Sequence, residues 1–311
     1  MNKPKLSIII LSWNTKDLLK QCVESIVRDL TTFRVEIIIV DNGSTDGSVE
    51  YLRQLTEKGN KSGQNDKLVS PLTLNKITLK LIENKENLGF AKGNNQGIKE
   101  ARGEYIMLLN SDTIVKGGAI EKLVEYLDKN PNIDIVGPKL LNKDGSVQAN
   151  CGRFPNLFVC FVMLFKEHFG GSDFVRCSPK ESKEVDWLMG AAFMARRKVF
   201  EKIGGLDEDI FMYMEEVEWF YRSKKAGFTS YFYKDAEIIH LGRGSSKSGK
   251  KEPILNIYKG LLHFYKKHKS LPELLILNIM LKIKAFMAFC LGFLNKNNYL
   301  KETYGKALKI N

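Results

Sequence analysis

Four short aliphatic runs, Leu6–Leu11, Val35–Val40, Thr78–Ile82 and Tyr105–Leu109, alternate with stretches of helical spacing at Thr15–Leu30, Asp46–Lys58, Phe90–Arg102 and Gly117–Lys129. Each run is rich in Ile, Val and Leu and is bounded by polar turns, the pattern of strands buried on both faces. Strands that alternate with helices restrict the fold to an α/β architecture, a mostly parallel sheet with right-handed crossovers. Ligands of such sheets sit at the carboxyl ends of the strands. Gly59–Lys76, with its Gly, Ser, Asn, Gln and Pro, breaks the rhythm and reads as a surface loop or insertion.

After Asn130 the pattern loosens. A short strand is expected near Ile133–Val136, a hairpin at Asp144-Gly145, a helix at Glu215–Ala226, and two short strands at Thr229–Tyr233 and Ala236–His240. The segment Cys151–Lys183 carries no clear period, and the chain holds no internal repeat. Five scattered cysteines without C-x-x-C spacing suggest neither a disulfide framework nor a zinc site, and a reducing, cytoplasmic compartment fits them best. Leu6–Leu11 is too short for the apolar core of a signal peptide.

Charge is uneven. The 311 residues carry a formal +12, yet residues 1–240 hold 34 basic against 33 acidic side chains, and residues 241–311 hold 14 against 3. This excludes a uniformly basic protein that coats nucleic acid and points to a near-neutral body with a basic tail that meets something anionic.

Polar residues gather after the strands. Ser12-Trp13-Asn14 follows the first and Asp41-Asn42-Gly43-Ser44-Thr45-Asp46 the second. Asp46 reads as a helix cap, whereas Asp41 ends a wholly apolar strand, where a carboxylate can accept from a base or ribose. The fourth strand ends in Asn110-Ser111-Asp112-Thr113. Asp112 is placed either to hold a hard cation such as Mg2+ or Mn2+ or to cap the next helix. Glu215, Glu216 and Glu218 open a helix, where they either offset its dipole or, among Phe211, Tyr213, Val217 and Trp219, supply a partly desolvated general base. His240 precedes a Gly/Ser loop with Arg243, a combination suited to phosphate.

In order and spacing, seven segments resemble the inverting family 2 glycosyltransferases of the GT-A fold, in particular their rhamnosyltransferase-like branch. They are Leu6–Asn14, Val40–Ser48, Glu86–Asn95, Leu108–Thr113, Trp187–Ala191, Phe211–Glu218 and His240 with Gly244-Ser245. The resemblance covers residues 4–246 and implies a catalytic domain over 1–246, with a nucleotide-sugar half to about 130 and an acceptor half beyond, and a basic helical tail over 247–311. It assigns Asp41, with Ser12 and Asn14, to the base pocket. Lys92, Asn94, Asn110, Ser111, His240 and Arg243 fall around the rest of the donor. Asp112 is similar to the last carboxylate of the family's metal motif, and Glu216 to its catalytic base. Glu215, Trp187 and Gly190 fall at the acceptor. Two positions depart from the pattern: Asn110 replaces the first carboxylate of the metal motif, and Glu216 replaces the usual aspartate. They keep open a second reading, a catalytically weakened scaffold that binds a nucleotide-sugar or glycan.

The expected partners are a nucleotide-sugar donor and a glycan or lipid-linked glycan acceptor, with no nucleic acid, because few aromatics interleave with the basic tail residues. Leu271–Leu294 is long enough to span a bilayer, but Lys282 and Lys284 near its centre each cost about 2.5–3.5 kcal/mol on insertion. A helix lying in the interface on the inner face of the membrane fits better. The alternative is that this helix packs on the catalytic domain or in a homodimer.

Overall fold

A computed structural model describes residues 3–29, 32–60, 76–169, 175–242 and 251–310. Arg243, Gly244-Ser245 and nearly all of the insertion expected at Gly59–Lys76 lie outside these residues. Four parallel strands, β1 (Leu6–Ser12), β2 (Val35–Asp41), β3 (Ile77–Glu83) and β4 (Tyr105–Asn110), stand in the order β3-β2-β1-β4. Beside β4 the sheet continues with β12 (Ala192–Arg196), antiparallel to both β4 and β6 (Ile135–Leu141), and then β13 (Ser230–His240), parallel to β6. The two strands expected at 229–233 and 236–240 are one strand, β13, whose register against β6 shifts between Tyr233 and Glu237. β3 is the edge of the sheet, so its residues alternate between half-buried and exposed instead of being buried on both faces.

The strict two-residue period of the strands divides the core in two. Ile8, Ile10, Ile37, Ile39, Met107 and Leu109 join one cluster with α1 (Lys16–Asp29), α2 (Ser48–Asn60) and α4 (Ala119–Lys129). Ile9, Ile38, Ile106 and Leu108 point the other way, toward α3 (Phe90–Glu100), α6 (Arg197–Ile203) and α7 (Glu215–Lys225). Helix α3 lies close on β1 because Gly93 and Gly97 face it. A Cβ there would stand 2.3 Å from Leu11 Cδ1 and 2.5 Å from Ile9 Cγ2.

A third cluster unites α5 (Leu157–Phe169) with α8 (Lys251–His268), α9 (Leu271–Leu294) and α10 (Asn298–Ala307). The apolar tail helix therefore packs on the body, with Leu277, Leu281 and Ala285 buried in this cluster. Among the described residues, the unread segment after Cys151 holds α5 and strands of only two residues, β8 (Cys151–Gly152), β9 (Arg176–Cys177) and β10 (Lys183–Glu184).

Candidate active site

The carboxyl ends of β1, β2 and β4 meet in a connected polar rim. Asp41, fully buried at the end of β2, accepts from the Ser44 backbone N–H through Oδ1 at 2.8 Å. Its Oδ2 is buried and has no partner among the described residues, so it awaits a donor. Asn14, held at φ +53°, accepts from Thr45 N–H at 2.8 Å, while its own N–H donates to Ser44 Oγ. A chain of buried hydroxyls runs from Ser12 to Thr15 (2.9 Å) and on to Ser111 (3.0 Å), which ties the end of β1 to the turn after β4. Asp46 accepts from Ser48 and Lys16 N–H groups and so anchors the starts of α1 and α2.

At the start of α3, Gly89 adopts φ +88°, and a Cβ there would meet Phe211 at 2.7 Å. Phe90 N–H donates to Phe211 O at 2.8 Å, which joins this turn to the segment leading into α7. Lys92 is exposed on α3, and Asn94 is buried with its amide donating to Phe90 O.

Asp112 caps no helix. Thr113–Val115 is a strand, β5, paired antiparallel to β13 with Thr113 opposite His240. That pairing brings the His240 ring to Asp112: Nε2 stands 3.3 Å from Oδ1, and Asn110 Nδ2 lies 3.5 Å from the same nitrogen. Gln148, absent from the expected site, explains the ring's orientation. Its amide donates to Asn142 Oδ1, which turns its Oε1 toward His240 Nδ1 at 2.7 Å. The ring's Nδ1 is engaged by Gln148 and its Nε2 faces Asp112 Oδ1; a carboxylate oxygen and an imidazole nitrogen so placed are a donor set that fits a divalent cation.

The backbone enters α7 through two left-handed non-glycine residues, Tyr213 (φ +67°) and Met214 (φ +80°), a strained turn of the kind found at functional sites. It sets Glu215 and Glu216 side by side, each with Oε2 buried and unpartnered among the described residues. Burial pushes both carboxyls up, and the charge of Glu216 pushes Glu215 further. For Glu216, N–H groups including that of Gly190 and the nearby charge of Arg176 act in the opposite direction. Gly190 keeps this corner open: a Cβ on it would lie 3.3 Å from Phe90 and 3.8 Å from Glu216 Cβ.

Arg176 is the other residue the sequence did not single out. It is anchored by Nε donating to Ala149 O at 2.8 Å, and β8–β9 pairing carries it there. The same pairing sets Cys151 and Cys177 with Sγ atoms 3.8 Å apart, both free thiols. Trp187 is largely buried across from Gly152, its indole N–H donating to Arg153 O at 2.9 Å. Glu218 stands apart from this site, paired with Arg222, Lys267 and His268.

Several known proteins are similar to this chain in sequence or fold. The N-acetylglucosaminyl-diphospho-decaprenol L-rhamnosyltransferase of Mycobacterium tuberculosis is 27% identical over 224 residues, 66% of this chain and 66% of that protein. The low-salt glycan biosynthesis hexosyltransferase Agl10 of Haloferax volcanii is 28% identical over 71% of this chain and 62% of its own length. The chain thus spans just under two thirds of these curated relatives. Among solved structures, the mannosyltransferase PcManGT of Pyrobaculum calidifontis, in complex with GDP-Man and Mn2+, superposes with a TM-score of 0.56 at 17% identity, covering 99% of this chain and 75% of that one. S. aureus TarS 1-349 superposes with a TM-score of 0.54 at 14% identity, over 89% and 69%. The fold is GT-A. The profile of Glycosyl transferase family 2 matches residues 7–204, well over half of the sequence, and the chain belongs to that family.

Proposed function

We propose that this chain is an inverting glycosyltransferase that moves a sugar from a nucleotide-diphosphate-sugar to a hydroxyl of a glycan or lipid-linked glycan in cell-surface polysaccharide synthesis. The observation that carries this reading is the placement of Glu216: a buried carboxylate with a raised pKa, at a strained helix start, on the same rim as the Asp112–His240 corner and the unpartnered Asp41 oxygen. Asp41, Ser12 and Asn14 would receive the base. Lys92, Asn94, Asn110 and Ser111 would border the rest of the donor, and Trp187, Gly190 and Glu215 the acceptor. Arg243, which follows β13 in sequence and lies outside the described residues, is assigned to the diphosphate.

Glu216 takes the proton from the acceptor hydroxyl while that oxygen attacks the anomeric carbon. A single attack from the face opposite the departing diphosphate inverts the centre, and no second nucleophilic carboxylate is needed. Asp112 and His240 would hold Mg2+ or Mn2+, which when bound supplies positive charge to offset the leaving diphosphate. Mn2+ in the Pyrobaculum complex supports a divalent cation as the occupant. The L-rhamnosyltransferase relative supports L-rhamnose as the sugar, with dTDP-rhamnose proposed as its carrier, and the diphospho-decaprenol in its name supports a lipid-linked glycan acceptor.

The test is a panel of nucleotide-sugars with Mg2+ or Mn2+ and acceptor extract, read as nucleoside diphosphate released. Glu216→Gln is expected to lower turnover by roughly 10^2 to 10^4 while leaving the thermal shift given by the nucleotide unchanged. Because the base must be ionised, wild-type kcat/KM falls on the acid side, with a midpoint above the ordinary carboxylate range. A nucleotide-dependent shift without diphosphate release from any donor would instead favour the scaffold reading.

A further inference from the structure

Helix α9 has two unlike sides. One is buried against α8, α5 and α10 through Leu277, Leu281, Ala285 and Ala288. The other carries Leu275, Ile279, Ile283, Phe286 and Phe293, each between 50% and 60% exposed. Exposed apolar side chains are ordinary singly, but a stripe along a helix of 24 residues, about 36 Å, is not. The lysines that counted against insertion border that stripe, half-buried and engaged by protein. Lys282 donates to the carbonyls of Leu308 and Ile310, and Lys284 lies over the Phe165 ring.

The stripe has a neighbour on the acceptor half. Helix α5 packs its Cys160 and Leu164 side into the same cluster as α9, and its outer side shows Phe158 at 63% and Phe161 at 43% exposure. α5 starts just after Gly152, the strand partner of Trp187, and Phe154 between them packs edge-on against Tyr221 of α7. Exposed Lys266, Lys296, Lys306 and Lys309 surround α9 on α8, on α10 and in the flanking turns.

We propose that α9 and α5 together form a docking face for an anionic bilayer, with α9 lying flat in the interface and α5 entering at its acceptor-side end. Charge selects the occupant: residues 241–311 carry 14 basic against 3 acidic side chains, which two copies of the chain would set against each other and which anionic headgroups neutralise. The interface position is favoured over a span because Leu277, Leu281 and Ala285 are packed into the third core cluster of the body. The face also deepens the proposed function, on whose reading of the acceptor this consequence rests: a lipid-carried sugar would approach Glu216 beside α5, directly from the membrane surface.

Vesicle flotation of the full chain tests the face without any turnover. Wild type is expected to float with phosphatidylcholine vesicles containing phosphatidylglycerol, and less with phosphatidylcholine alone or at high salt. Ile279→Glu/Ile283→Glu and, separately, Phe158→Glu/Phe161→Glu should each lower partitioning by at least about tenfold; the milder Ile279→Ser/Ile283→Ser should lower it less, and unchanged thermal midpoints will show that the fold is kept. Flotation of either glutamate pair at the wild-type level overturns the composite face, and equal flotation with both vesicle types overturns its anionic preference. A wild type that stays in solution as a dimer, which Ile279→Glu/Ile283→Glu dissociates, assigns the stripe to a second copy and overturns the proposal. The nucleotide thermal shift and diphosphate release are measured on the same variants, so loss of flotation with retained donor binding is distinct from failure of the transferase reading.

Discussion

Glu215 and Glu216 are adjacent in the chain and share a buried corner, but different surroundings separate their tasks. Glu216 has the Gly190 N–H and the Arg176 charge to support its ionised form, whereas Glu215 has chiefly burial and its neighbour's charge, both of which raise it. A carboxyl raised in the folded state adds full stability below the unfolded value, near 4.3, and loses it as pH rises through the folded value. Glu215→Gln removes that loss. It is expected to raise the thermal midpoint by about 2–4 °C at pH 8 and to change it little at pH 4, as followed by differential scanning fluorimetry; an equal change at both values would contradict the assignment. The two glutamates were legible in the sequence because they open a helix among aromatics. Gln148 and Arg176 were not, because nothing in their neighbours announces a role. Gln148 matters only through the ring of His240, 92 positions away, and Arg176 only through a two-residue strand pairing.

At the scale of elements, the clearest readings were the strands buried on both faces, whose continuous aliphatic runs no helix of that length imitates. β8, β9 and β10 are two residues each and leave no period to detect. The link between α8 and the body was equally hidden. Asp207, in the loop before α7, accepts from His263 at 2.9 Å and Lys267 at 2.6 Å, and Lys267 also reaches the fully buried Glu218 at 3.0 Å. These bonds offset the burial of Asp207 and hold its carboxyl down to about 2, so the contribution is present above the unfolded value and lost as pH falls toward 2. Asp207 and His263 also stand with Asp209 within 4.8 Å of one another, but Lys267 already supplies the positive charge there. Asp207→Asn is expected to cost about 1.5–3 kcal/mol in denaturant unfolding and to raise hydrogen exchange in α8 ahead of the central strands. Uniform exchange across both would show that α8 is not latched by this residue.

For the whole molecule, the excess positive charge that stood out in the sequence belongs to a helical layer built into the third core cluster. A chain ended at residue 246 would strip Cys160 and Leu164 of their cover and leave Asp207 and Glu218 without their α8 partners. Loss of such partners costs on the order of 3–5 kcal/mol, so this truncation is expected to sediment as aggregate, and a monodisperse, nucleotide-binding product would contradict it. Lys282 adds a constraint in time. Its ammonium, in the middle of the most apolar helix, donates to the carbonyls of residues 308 and 310. During synthesis these two carbonyls reach Lys282 only after 26 to 28 further residues have emerged, so the closing of the chain's last described turn onto α9 is a late step of folding.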